Sequence, residues 1–228
     1  MTTQVRERWT ALAGLGYVAA ILIGNGLAAE GAPTGYDPAG NLAYLRAHSG
    51  TAKATIGLSL ELVGFALFAF FLARLWAHLR SAEGGDGVLS MAALVGGITM
   101  LAIKLGSGAE LLAMDQRRDT MSAEQVQQLV DVGGATFLLS FLPFGVLLVA
   151  SGLVVARRGG LPRWLGWVAL ALGVGNIGAV LAGPETMVVL PFLLGLLWII
   201  VTSVLIARRS TGQVVSIDPD FTPAYAGR

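Results

Sequence analysis

Lys104 and Glu110 lie inside an apolar run that begins at Val88 and reaches Met114, and Glu61 lies inside another that spans 54–77. A charge near the centre of a bilayer costs roughly 2.5–3.5 kcal/mol on insertion scales, so such residues turn toward partners or water and are functional candidates. An acid and a base at similar depth on neighbouring helices have the types needed to exchange a proton or hold a polar group. Counted at helical rise, Glu61 lies ~10 Å below one end of its run, and Lys104 ~15 Å below the same end of the next. A Glu61–Lys104 ion pair is therefore expected, with Gly57, Gly64, Gly97 and Gly108 letting the two backbones approach. Asn25, Glu30, Glu110, Asp131 and Asn176 fall at the same level or at the rim above it. The pattern predicts a polar pocket open at that end and closed below by Phe65, Phe68, Phe70 and Phe71.

Much other chemistry is excluded. The chain has no cysteine, which removes disulfides, thiol nucleophiles, thiolate-bound metals and cysteine lipidation. His48 and His78 are expected at opposite sides of the membrane, so paired-histidine haem ligation is not. No HExxH, GxSxG or phosphate-loop motif occurs. Glu61, Glu110 and Asp131 lack the paired ExxH spacing of a carboxylate metal site, and neither metal nor cofactor is expected. A net charge of +1 with scattered basic residues gives no footprint for nucleic acid.

The elements that must position these residues follow from composition. Of 228 residues, 55% are hydrophobic and 13% charged, against about 25% charged in soluble domains. The charges cluster between apolar runs, which is the pattern of an all-α polytopic membrane protein. Six transmembrane helices are expected in residues 1–209, at about 9–29, 54–77, 88–114, 122–156, 164–182 and 186–207. The first run exceeds the 7–15 apolar residues of a signal peptide, so it reads as a retained span. In the loop 30–52, Asp37-Pro38 suits a helix start and Gly50 a stop, with Leu42 and Leu45 on one face, which predicts a short helix lying at the outer interface. Ser122-Ala-Glu-Gln125 fits a capping box, and Pro143 predicts a kink in the long fourth helix. Gly183-Pro184-Glu185 reads as a short turn, and residues 210–228 as a flexible cytoplasmic tail.

Arg6, Arg8, Arg74, Arg80, Arg157, Arg158, Arg163, Arg208, Arg209 and Arg228 fall on the side of both termini, and only Arg46, Lys53, Arg117 and Arg118 on the other. Positive residues stay inside, so both termini are expected in the cytoplasm and the protein in the cell membrane. Ala-Arg steps at the three inner exits (Ala73-Arg74, Ala156-Arg157, Ala207-Arg208) read as basic stops rather than repeats.

The Leu161-Pro-Arg-Trp-Leu-Gly-Trp167 start of span five and the Trp198 to Arg208 end of span six resemble an uncharacterised family of bacterial six-helix membrane proteins, over roughly residues 8–209. The resemblance implies the six-helix topology and supplies no activity. From the polar constellation, the favoured reading is a small-solute or proton-coupled ion carrier, with Glu61 exchanging the proton beside Lys104. Its partners would be the bilayer, the solute, and a membrane protein or a second copy of the chain. Two alternatives are a scaffold subunit docking a partner or lipid through loop 30–52, and a lipid-head-group enzyme using His48, Glu110 or Asp131. The balance of motifs leans away from an enzyme.

Overall fold

The structure is a computed structural model that describes residues 3–28, 30–33, 35–182 and 186–209, apart from the side chains of 3–8, 11 and 186–188. The expected turn at 183–185 and tail at 210–228 lie outside the described residues. Among the described residues no strand occurs and eight helices follow one another: α1 (Thr3–Ala28), α2 (Pro38–His48), α3 (Ala52–Glu83), α4 (Val88–Arg117), α5 (Ala123–Leu139), α6 (Phe141–Arg158), α7 (Arg163–Ala182) and α8 (Thr186–Arg209). Among the described residues, five stretches are long and apolar enough to cross a membrane: Ala52–Glu83, Val88–Arg117, Ala123–Arg158, Arg163–Ala182 and Val189–Arg209. A shorter apolar stretch is Leu12–Ala28. The architecture is all-α and consistent with a polytopic membrane protein.

Local chemistry sets the helix ends. The Asp37 carboxylate accepts from the Gly40 amide at 2.9 Å, with Pro38 in the first turn of α2, and Gly50 leaves the helix with φ 75°. The Thr51 hydroxyl caps α3, accepting from the Ala54 amide at 3.3 Å. Glu83 reaches over the next turn and accepts from the amides of Leu89 (2.9 Å) and Ser90 (2.7 Å), so an acid caps the α4 N-terminus. The capping box of α5 closes in both directions between Ser122 and Gln125. The fourth span departs from one kinked helix: it is interrupted at Ser140, which keeps helical φ/ψ of −65° and −18°. Pro143 has no amide to give the Leu139 carbonyl, so the i to i−4 ladder breaks one turn before the proline.

The helices pack through glycine. Cβ atoms built on Gly57 and Gly24 would each come within 2.9 Å of the other's carbonyl oxygen, so α1 and α3 meet backbone to backbone. Gly64 also faces α1, at Ala20 and Ile21. Gly57 and Gly64 therefore join α3 to α1 rather than to α4. Gly97 does lie against Leu72 of α3, whereas Gly108 faces open space. At the end of the bundle away from α2, Phe68, Phe71, Leu72, Leu75, Leu79, Phe144 and Leu147 form a close-packed core. Leu22, Val63, Phe70, Val95, Ile98, Trp164 and Trp167 are exposed, which is an apolar girdle of the kind lipid covers.

Candidate membrane cavity

A cavity of about 550 Å³ opens between α1, α3, α4 and α5 at the α2 end. This lies within the 300–1,000 Å³ typical of small-molecule sites. Most of its wall is apolar, including Ile21, Leu58, Leu62, Phe65, Leu129 and Val130. The polar groups are Asn25 of α1, Asn41 and Tyr44 of α2, Glu61 of α3, and Lys104, Ser107 and Glu110 of α4. Glycine at 108 leaves the α4 wall open, and Gly133 of α5 lies against the Glu110 carboxylate.

Glu61 and Lys104 share one cavity, as their depths predict, but they do not touch. Among the described residues, no carboxylate lies within ion-pair distance of the Lys104 ammonium. It sits instead over the Phe137 ring, 3.4 Å from the centroid, with Phe141 at 5.4 Å and Phe192 at 6.0 Å. The rings hold one another edge to face: Phe137–Phe141 at 4.9 Å and 89°, Phe141–Phe192 at 5.1 Å and 70°. The negative faces of aromatic rings stabilise a cation where water is scarce. The expected direct pair is thus replaced by an aromatic seat, because the α4 face carrying Lys104 turns toward α5 and α8. The expected floor is also revised. Phe65 lines the cavity and Phe68 and Phe71 lie in the core, but Phe70 is exposed on the outside of α3. Phe137 and Phe192 complete the deep end in its place.

Residues 12–207 match the family model DUF4386, a domain of unknown function. The chain belongs to the DUF4386 family. No curated protein and no solved structure matches it. The residues that carried the resemblance meet in this DUF4386 domain: the buried Trp198 donates its indole N–H to the Leu165 carbonyl at 3.2 Å, tying α8 to α7.

Three of the residues expected in the constellation lie elsewhere. Asp131 is exposed and accepts from Gln127 Nε2 at 2.7 Å. Asn176 is buried between α7 and α8, donating to the carbonyls of Leu172 (2.8 Å) and Pro191 (3.5 Å). Glu30 is exposed and paired with Lys53 at 2.7 Å, and that hydrogen bond holds its carboxyl below the usual carboxylate range. His48 stacks on Tyr44 at 4.1 Å near the α2 end, while His78 donates to the Gly160 carbonyl at 2.8 Å near the opposite end of the bundle. Asn25 lines the cavity and donates to the Ile21 carbonyl at 3.3 Å.

Gln127 gave no functional signal in the sequence, yet it fastens the cover. Its carbonyl oxygen accepts from Asn41 Nδ2 at 2.8 Å and from the Asp37 amide at 3.2 Å, while its amide group donates to Asp131. Both Asn41 and Gln127 are buried. Replacing Gln127 with leucine leaves two donors of α2 unanswered, at about 1–3 kcal/mol for a buried group. Hydrogen exchange in residues 38–48 is expected to accelerate by about tenfold or more, since 1.4 kcal/mol is a factor of ten. Unchanged protection there would remove Gln127 from this role.

Proposed function

We propose that this DUF4386 protein is a carrier for a small amphipathic solute, crossing the membrane six times with both termini in the cytoplasm. The cavity would then open away from the cytoplasm, under α2. One observation carries the reading: a site-sized, mainly apolar cavity into which neighbouring helices direct Glu61 and Lys104 without joining them. Buried charge is expensive unless something answers it, and a bound solute supplies what the protein withholds. The break at Ser140 gives α5 a point about which the wall can move.

The absence of cysteine makes the test direct. Ser107→Cys places one thiol on the cavity wall, Thr120→Cys one on the exposed α4–α5 connection, and Phe70→Cys one on the lipid-facing side of α3. A membrane-impermeant maleimide should label Ser107→Cys in intact cells and also, more slowly, in inverted vesicles, because a carrier presents its site to each face in turn. Thr120→Cys should react from one face only, and Phe70→Cys from neither. Labelling of Ser107→Cys from one face alone would leave a binding protein in place of a carrier. Labelling from neither face, with Thr120→Cys reactive, would remove the open cavity altogether.

A further inference from the structure

The side chains of the cavity divide into those already engaged and those left over. The Tyr44 hydroxyl donates to the Ala28 carbonyl at 2.9 Å, and the Ser107 hydroxyl to the Lys104 carbonyl at 2.8 Å. Asn41 and Asn25 give their amide N–H groups to Gln127 and Ile21. Among the described residues, the Lys104 ammonium has ring faces but no hydrogen-bond acceptor, and the Glu61 carboxylate has no donor. Ring faces answer only part of the bonding capacity of an ammonium, which carries three donors. Both groups face the same space from adjacent helices.

The order of charge with depth is also set. Lys104 is 13 residues from the α4 end at Arg117, Glu61 nine from the α3 start at Ala52, and Glu110 seven from Arg117. At helical rise these place them ~20, ~14 and ~10 Å from the α2 ends of their helices. A solute entering from that end passes acids first and meets the cation last. A simple anion would sit against Lys104 with two carboxylates above it. A simple cation would satisfy Glu61 and leave Lys104 without an acceptor.

We infer that the solute is a zwitterion: a primary ammonium a few bonds from an anionic group, attached to a hydrocarbon portion. The anionic group meets Lys104 at the deep end, the ammonium meets Glu61, and the hydrocarbon lies along Ile21, Leu58, Leu62 and Leu129. This rests on the carrier reading and narrows it. Two sources share the chemistry, a free amino acid with an apolar side chain and a single-chain lipid with an ethanolamine phosphate head.

The test uses the full chain in nanodiscs and two matched probe sets. L-leucine is compared with 4-methylpentanoate, which lacks the ammonium, and with 3-methylbutylamine, which lacks the carboxylate. Lysophosphatidylethanolamine is compared with lysophosphatidic acid of the same chain. In one set or the other, the zwitterion should bind roughly tenfold or more tightly than its singly charged relatives, the scale of one charge-assisted hydrogen bond. The set that shows it names the source. Glu61→Gln should erase the advantage over the anion and Lys104→Met the advantage over the cation, while Glu61→Asp and Lys104→Arg keep part of each. Gly108→Trp, which fills open space in the wall, should abolish binding in a protein that still elutes as a single species. Equal binding of zwitterion and anion in both sets, or no binding of either zwitterion, overturns the inference. If Ser107→Cys still reacts from both faces, only the ligand class has failed; if it reacts from neither, the carrier reading has failed too.

Discussion

Gly166→Leu is expected to prevent the protein from reaching a stable fold. The α6–α7 contact is built from glycines that face each other's backbones. A Cβ on Gly166 would stand 2.6 Å from the Ala156 nitrogen and 2.9 Å from the Gly152 oxygen, and a Cβ on Gly152 would stand 2.7 Å from the Gly166 oxygen. Seven residues further along each helix, about two turns, Gly145 and Gly173 would meet each other's carbonyls at 2.9 and 2.8 Å. Backbone atoms cannot rotate aside as a side chain can, so any larger residue forces the helices apart. Helices in lipid gain nothing from leaving water for one another, so their association rests on this close approach. The cost should lie above the ~1–3 kcal/mol of ordinary overpacking. Thermal unfolding in detergent, read as loss of the monodisperse species, should show a large drop for Gly166→Leu. Gly26→Ala, where no neighbour lies within 4 Å, should differ little from wild type. A wild-type midpoint for Gly166→Leu would refute the backbone contact.

The second large effect concerns the seat of Lys104. Phe137→Leu preserves apolar bulk but removes the ring 3.4 Å below the ammonium, leaving the cation only the more distant faces of Phe141 and Phe192, at 5.4 and 6.0 Å, and no carboxylate in contact. A destabilisation of about 2 kcal/mol is expected, the upper range for a cation–π contact out of water. Lys104→Met should be nearly neutral for stability, because it removes the charge together with its need for a partner. The double variant should therefore resemble Lys104→Met, with a coupling of about 1–2 kcal/mol in a mutant cycle. Reversible unfolding of the four proteins in micelles measures it. Additivity within experimental error would mean that the rings do not hold the cation.

The sequence carried the depth of the charged residues more reliably than their direction. Residue counts place Glu61, Lys104 and Glu110 in the half of the bundle toward the α2 end, and all three line one cavity. Depth depends on rise along a helix, which varies little; azimuth depends on which neighbour each face packs against. That is why residue counts pair Lys104 with Glu61 whereas its ammonium lies over Phe137 of α5. A signal for Phe137 existed, since Phe137 and Phe141 share a helical face by their spacing of four. Phe70 shows the same limit from the other side. The buried positions 65, 68, 71, 72, 75 and 79 of α3 follow helical periodicity, and 70 falls off that stripe, so its exposure was legible. The interruption at Ser140 was foreshadowed by Pro143, but a proline signals a bend or a break alike, and packing decides between them. Gln127 gave no signal, because its two partners on α2 are brought to it only by the fold.

That fastening ties two parts of the molecule into one lever. Gln127 on α5 grips Asp37 and Asn41 at the start of α2, and Phe137 under the ammonium belongs to the same α5, just ahead of the interruption at Ser140. A swing of α5 about Ser140 would lift α2, widen the mouth and withdraw the ring from Lys104 in a single motion. Admission of water and loss of the aromatic seat would then occur together, so the ammonium would exchange one form of stabilisation for another and need not stand bare between them.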